Sequence, residues 1–117
     1  MPRQLVDALE ILLWLQTIWL GAFDWDASNI AHVGKRNYTP KGVEKLFTSE
    51  AALLGKLAPN PDDSWGEDRF LMVGRDGRAK LHSIIFTIRG DKVRPISVRR
   101  SRKHEEERYQ ERTKSAD

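Results

Sequence analysis

Apolar residues recur along this chain on two different periods, and the change near Arg69 separates a helical part from a strand part. Phe23-Asp24-Trp25-Asp26 reads as a short strand. Asp26 or Ser28 then caps a helix that begins beside Asn29 and runs through Lys35 or Arg36, because a short side-chain oxygen there accepts an N–H left over by the first turn. Thr39-Pro40 opens a second short helix, proline suiting the first helical position, with Val43, Leu46 and Phe47 on its inner face. Residues 50–57 are expected to form a third helix, and the prolines of residues 59–64 make that stretch a loop.

From Arg69 onward the pattern alternates. Residues 69–74, 79–89 and 92–99 read as three strands, separated by Asp76-Gly77 and Gly90-Asp91, the turn residues of an antiparallel meander. Ser101 is expected to cap a last helix through Arg112, with Glu105 and Tyr109 at an i, i+4 spacing. Helices, then meander, then helix predict one α+β domain over residues 23–112: an antiparallel sheet, made of the short N-terminal strand plus a three-stranded meander, packed by helices. Residues 113–117 read as a flexible tail.

The first 22 residues stand apart as an extra apolar N-terminal helix. Leu5, Leu9, Leu12 and Trp19 keep a helical spacing, and residues 11–20 are apolar nearly all round. Asp7 and Glu10 before that run, with Gln16 and Thr17 inside it, argue against a membrane span, and the acids beside a lone Arg3 argue against a signal peptide. A helix packed on the domain or a partner, a membrane-surface helix, and translated sequence upstream of the true start remain as readings.

With 117 residues and no cysteine, the chain suits one modest core without disulfides or thiolate metal sites. Its net charge of +3 hides a strong polarity. Residues 1–74 carry 7 Lys/Arg against 10 Asp/Glu (−3), residues 75–103 carry 10 against 2 (+8), and residues 104–117 carry 3 against 5 (−2). The meander is therefore a cationic surface, as an anion-binding face requires; a solvated basic hairpin without a ligand is the plainer alternative.

No glycine-rich phosphate loop and no Cys/His metal spacing is present, so no metal and no cofactor is expected. The arginines carry the chemistry, since a guanidinium holds a phosphate through two hydrogen bonds and stays charged at any working pH. Arg75, Arg78 and Arg99 are the candidates for phosphate in the catalytic step, and Arg89, Arg94, Lys80 and the loop tryptophan Trp65 for holding substrate. Strand parity sets Arg94 with Ile96 and Val98, and Arg99 with Ser97 and Val93, on opposite faces. Arg94 has a second reading, as a half-buried residue paired with Asp24 or Asp26. His32 and Glu67 are the candidates for proton transfer, His32 reading equally as a hydrogen-bonded structural histidine. His82 shares a strand face with Ile84, Phe86 and Ile88, so packing is its default.

In this order, Phe23-Asp24-Trp25-Asp26, Asn29-Ile30-Ala31-His32, the helix from Thr39-Pro40 to Phe47, Arg69-Phe70, Gly74-Arg75, Gly77-Arg78, Arg94-Pro95-Ile96-Ser97-Val98-Arg99 and the helix from Glu105 to Tyr109 resemble the BrnT toxins. The family's Arg-x-Ile-Ser-x-Arg strand maps onto Arg94, Ile96, Ser97 and Arg99, and its Gly-Arg turn onto Gly74, Arg75, Gly77 and Arg78. Many members carry Lys-His-Gly after the first helix, where this chain has Arg36-Asn37-Tyr38. The resemblance implies a RelE-like fold and a cytoplasmic, metal-independent endoribonuclease toxin of a type II toxin-antitoxin pair, which cuts RNA and arrests translation and growth. It also implies a BrnA-like antitoxin as partner, contact with operator DNA only through that complex, and a homodimer or a heterotetramer with the antitoxin. The rival from another class is a non-catalytic basic module that engages nucleic acid or an acidic protein.

Overall fold

The computed structural model describes residues 23–48, 50–57, 68–90 and 92–115, with no side-chain description for 114 and 115. The expected N-terminal helix, the 59–64 loop, Trp65 and Glu67 lie outside the described residues. The elements run α1 (Ala27–Gly34), α2 (Pro40–Glu44), β1 (Ala52–Lys56), β2 (Arg69–Arg75), β3 (Leu81–Arg89), β4 (Lys92–Arg100) and α3 (Lys103–Ser115). The four strands pair antiparallel in the order β1-β2-β3-β4, so the domain is α+β as the periodicity predicts.

Both early helices start where their capping residues stand. Asp26 accepts the N–H groups of Ser28 and Asn29, and Asn29 returns a bond to the Asp26 N–H, closing a capping box. Thr39 caps α2 through Gly42, and Pro40 takes the first helical position. Val43, Leu46 and Phe47 are buried as expected.

Two expectations are corrected. Residues 50–57 form β1 rather than a helix: Leu53 packs into the core on one side of the sheet, while Ala52 and Leu54 pack into the core on the other. A strand buried on both faces loses its polar alternation, which is why the run looked helical. Leu54 is the extra residue of a bulge, and Gly55 follows it at φ 149°, a conformation suited to glycine. The fourth strand is thus β1, while Phe23 contributes a single parallel bridge to Val93. Ser101 does not cap α3 with its side chain; its hydroxyl lies 2.8 Å from that of Ser83, and the Arg102 carbonyl accepts from Glu105 and Glu106 one residue later.

The sheet is the middle of three layers. Its first face carries Phe70, Met72, Ile84, Phe86, Val93 and Val98 under Val33 of α1, Val43 of α2 and the Leu46-Phe47 turn. Its second face carries Leu71, Val73 and Leu81 under Tyr109 of α3. α3 lies over β1 and β2, and Glu105 in its first turn reaches Ser83 of β3 and Arg99 of β4.

Val93 and Val98 share one core although five residues separate them, since Ile85 pairs with Ser97 and the next residue, Phe86, pairs with Pro95. Ile96 is the bulged residue between them. It turns the strand parity over, so Arg94 (opposite Thr87) and Arg99 (opposite Ser83) both belong to the second face rather than to opposite ones.

Both sheet edges are occupied. At β1, Arg108 donates to the Leu54 carbonyl (2.8 Å), Arg112 to that of Leu53 (2.9 Å) and the Tyr109 hydroxyl to that of Glu50 (2.8 Å). At β4, the Asp24 N–H donates to the Val93 carbonyl (2.9 Å), and Asn29 donates to the Pro95 carbonyl (3.0 Å). Edges whose backbone groups are already engaged do not recruit a stray strand.

Candidate active site

The turn from β2 to β3 is built around one carboxylate. Asp76 Oδ1 accepts the backbone N–H groups of Arg78 (2.8 Å) and Lys80 (2.9 Å), and the Asp76 N–H donates to the Lys80 carbonyl. Ala79 takes the left-handed conformation within it, φ 64°. With Oδ1 engaged by the turn, Oδ2 faces β3 and lies 2.7 Å from His82 Nε2. Across the imidazole, Nδ1 lies 2.8 Å from the Tyr38 hydroxyl, and the Tyr38 and His82 rings meet edge to face at 5.6 Å. Tyr38 is brought there by the end of α1, where Asn37 reverses the chain at φ 67°. Gly74, opposite His82 on β2, lets the Leu46 carbonyl close over the strand: a Cβ there would stand 2.3 Å from that oxygen.

Chemistry fixes the direction of these bonds. The hydrogen bond from His82, joined by the Lys80 and Arg78 N–H groups, holds the Asp76 carboxyl down to about 2, so it is an acceptor at neutral pH. Nε2 therefore carries a proton given to Asp76, and whenever the ring holds only that proton Nδ1 accepts from the Tyr38 hydroxyl. Burial pushes that hydroxyl above the usual phenol range, while the charges of Arg100 and Arg36 pull against the rise. Arg100 stands opposite His82 in the β3-β4 register, and Arg78 and Lys80 are exposed in the turn. A hydroxyl, an imidazole and a carboxylate in series, ringed by cations, is a unit for moving a proton beside an anion.

The arginines selected from the sequence do not converge on one point. Arg75 reaches over the Tyr109 ring on the second face, 5.8 Å from its centroid. Arg99 grips Glu105 with both terminal nitrogens, at 2.7 and 2.6 Å. Glu105 is 2% exposed and also accepts from Ser83 (2.9 Å) and the Arg102 N–H (2.8 Å). Burial works to raise its pKa, yet Arg99 and these donors together bring it down to about 2. Arg94 is 6% exposed, with Nη2 at 3.0 Å from Asp26 and Nη1 at 3.6 Å from Asp24. Nη1 makes no hydrogen bond among the described residues. The paired reading of Arg94 is thus the geometry found.

A cleft elsewhere gathers a different set. A cleft of about 300 Å³ on the second face is lined by Ser28, Ala31, His32 and Lys35 from α1 and by Arg69, Thr87, Arg89, Arg94, Pro95 and Ile96 from the strands. His32, Arg89 and Arg94 are brought together there, while Arg78 and Lys80 lie by the Tyr38-His82-Asp76 series. Tyr38 and Asp76 were missed as site residues, and His82 was read as packing. The available signal was a turn aspartate six residues before a histidine on an otherwise apolar strand face. Among the described residues no group of three or more His, Cys, Asp or Glu side chains is placed to hold a metal ion.

No curated protein and no solved structure matches the chain significantly. A family model does match. Residues 25–105, more than half the chain, match the family described as the ribonuclease toxin, BrnT, of type II toxin-antitoxin systems, and the chain belongs to that family.

Proposed function

We propose that this protein is an endoribonuclease toxin whose cutting site is the Tyr38-His82-Asp76 series, with Arg36, Arg78 and Arg100 holding the phosphate. The observation that carries the reading is the unbroken pair of hydrogen bonds, 2.8 and 2.7 Å, from a half-buried hydroxyl through an imidazole to a carboxylate. A ribose 2′-hydroxyl placed on Tyr38 gives its proton to the phenol oxygen as the phenol proton passes to His82 Nδ1. The 2′-oxygen attacks the adjacent phosphorus, and Asp76 stabilises the imidazolium that forms. As the P–O5′ bond breaks, the same proton returns through Tyr38 to the leaving oxygen. The products are a 2′,3′-cyclic phosphate and a 5′-hydroxyl. The arginines offset negative charge gathering on the phosphoryl oxygens, an effect worth about 3 kcal/mol for a well-placed donor.

The partner of this activity is an antitoxin protein that silences it in the cell. Arg75 and Arg99, being engaged by Tyr109 and Glu105, act in this reading on the stability of the second face rather than on the phosphate. The test is purified protein with RNA in EDTA, with end-group analysis of the fragments. Cyclic phosphate and 5′-hydroxyl ends, lost in Tyr38→Phe, are expected. Ends carrying a 3′-hydroxyl, a strict need for added divalent metal, or tight RNA binding without any cleavage would each overturn the proposal, the last in favour of a non-catalytic basic module.

A further inference from the structure

The chain holds two tyrosines, and the fold treats them in opposite ways. Tyr109 is 1% exposed, its hydroxyl is given to the Glu50 carbonyl (2.8 Å), and the Arg75 guanidinium lies over its ring. A phenol whose proton is held by a backbone carbonyl has no base to take it. Tyr38 is partly exposed, and its hydroxyl meets an imidazole nitrogen, 2.8 Å away, whose ring is oriented from the other side by the Asp76 carboxylate. A hydroxyl, a base within hydrogen-bond reach and a third group that orients the base are the parts of an activated nucleophile. Burial opposes ionisation of the Tyr38 phenol, and the charges of Arg100 and Arg36 favour it.

In the ribonuclease reading, the Tyr38 oxygen accepts the proton of the ribose 2′-hydroxyl. Displacement at phosphorus runs in line, so the attacking 2′-oxygen stands opposite the leaving 5′-oxygen. The phenol oxygen, bonded to that 2′-oxygen, is then on the attacking side of the phosphorus, one hydrogen bond of about 2.7 Å farther out. A deoxyribose lacks the oxygen that separates the two. On such a strand the phenol is the next oxygen on the attacking side, and it keeps the same base.

We infer that Tyr38 is itself a nucleophile toward a phosphodiester strand that lacks the 2′-hydroxyl, so that DNA is taken as a covalent 3′-phosphotyrosyl adduct. The inference rests on the proposed ribonuclease reading for where the phosphate sits. In the step, a bond forms between the Tyr38 oxygen and phosphorus, the P–O5′ bond breaks, and the phenol proton passes to His82 Nδ1. Asp76 stabilises the imidazolium that forms, and the leaving 5′-oxygen takes a proton from water.

The probe is a single-stranded DNA oligonucleotide with sulfur in place of one bridging 5′-oxygen, incubated with the full chain in EDTA. Its 5′-thiolate leaves readily and returns poorly, so an adduct accumulates. Intact mass gives the yield, and peptide mass after digestion gives the residue. An adduct on Tyr38 is expected, absent in Tyr38→Phe and formed about a hundredfold more slowly in His82→Gln. Peptide mass locates the adduct in the parent whether or not either variant folds. The same sequence with 2′-O-methyl groups is expected to give none, because a methoxy group fills the place that the phenol must enter. No adduct in the parent, an adduct on another residue, or equal yields from the DNA and 2′-O-methyl strands would overturn the inference. RNA cut by a protein that forms no adduct sinks the inference alone. An adduct on Tyr38 of a protein that cuts no RNA keeps the nucleophile and sinks the ribonuclease reading.

Discussion

Two carboxylates, Asp76 and Glu105, each serve two structures at once, and both are drawn down to about 2 by the donors they hold. Asp76→Asn separates the two duties of the first. An amide keeps an oxygen for the Arg78 and Lys80 N–H groups, yet its NH₂ can only donate to His82 Nε2, so the ring must move its proton to Nδ1 and refuse the Tyr38 hydroxyl. Native thermal stability with a fall of about 10³ to 10⁴ in kcat on RNA is the expected outcome, read by melting and initial rates. Glu105 belongs instead to the fold. Arg99→Ala leaves it buried without its partner, which costs on the order of 3 to 5 kcal/mol in denaturant titrations, so lost toxicity in that variant reports unfolding before it reports catalysis. Since the folded pKa of Glu105 lies below the ordinary 4.5, its stabilisation is complete above about 4.5 and disappears as pH falls toward about 2. Acid titration of the parent and of Glu105→Gln checks this: the parent should lose stability across that window, and the variant should start lower with a flatter slope.

At the level of elements, capping residues and turn residues were legible because each acts within four residues of itself. Asp26, Thr39 and the meander turns needed no knowledge of the rest of the chain. β1 was not legible, because its two faces are buried by helices distant in sequence. The same holds for the candidate site: Tyr38 and His82 lie 44 residues apart, and the turn after α2 brings Leu46 over Gly74, the residue opposite His82. Gly74→Ala tests that dependence. A methyl group 2.3 Å from the Leu46 carbonyl forces the backbone apart, and strand β2 cannot shift without β3. A loss of about 2 kcal/mol or more is expected, with the Tyr38 and His82 side-chain resonances disturbed beyond those of α3.

For the whole molecule, the family match begins at residue 25 and ends at residue 105. A chain starting at Gly21 is therefore expected to fold and to cut RNA at a rate within about threefold of the parent, measured on purified proteins in parallel. An insoluble or inactive product would place essential structure in the first 20 residues. Among the described residues no helix is long and apolar enough to cross a membrane. Charge polarity is a large-scale property legible in composition, but composition does not tell which arginines are engaged within the fold. A guanidinium looks the same in sequence whether it faces solvent or a buried glutamate; Arg99 and Arg100 are neighbours in the chain, yet Arg99 grips Glu105 while Arg100 is exposed.

The bulge at Ile96 makes the length of β4 matter more than the identity of the residue that causes it. Ile96 is itself only partly buried, so a smaller side chain there costs the fold little. Removing the residue is another matter. Without it β4 would match β3 residue for residue, and one side of the gap would have to turn over: either Val93 and Pro95 leave the core while Arg94 enters it, or Val98 leaves while Arg99 abandons Glu105. A single-codon deletion at this position is therefore expected to abolish folding where Ile96→Ala or Ile96→Thr costs about 1 kcal/mol or less, a contrast that a combined deletion and substitution scan, scored by soluble yield, would reveal.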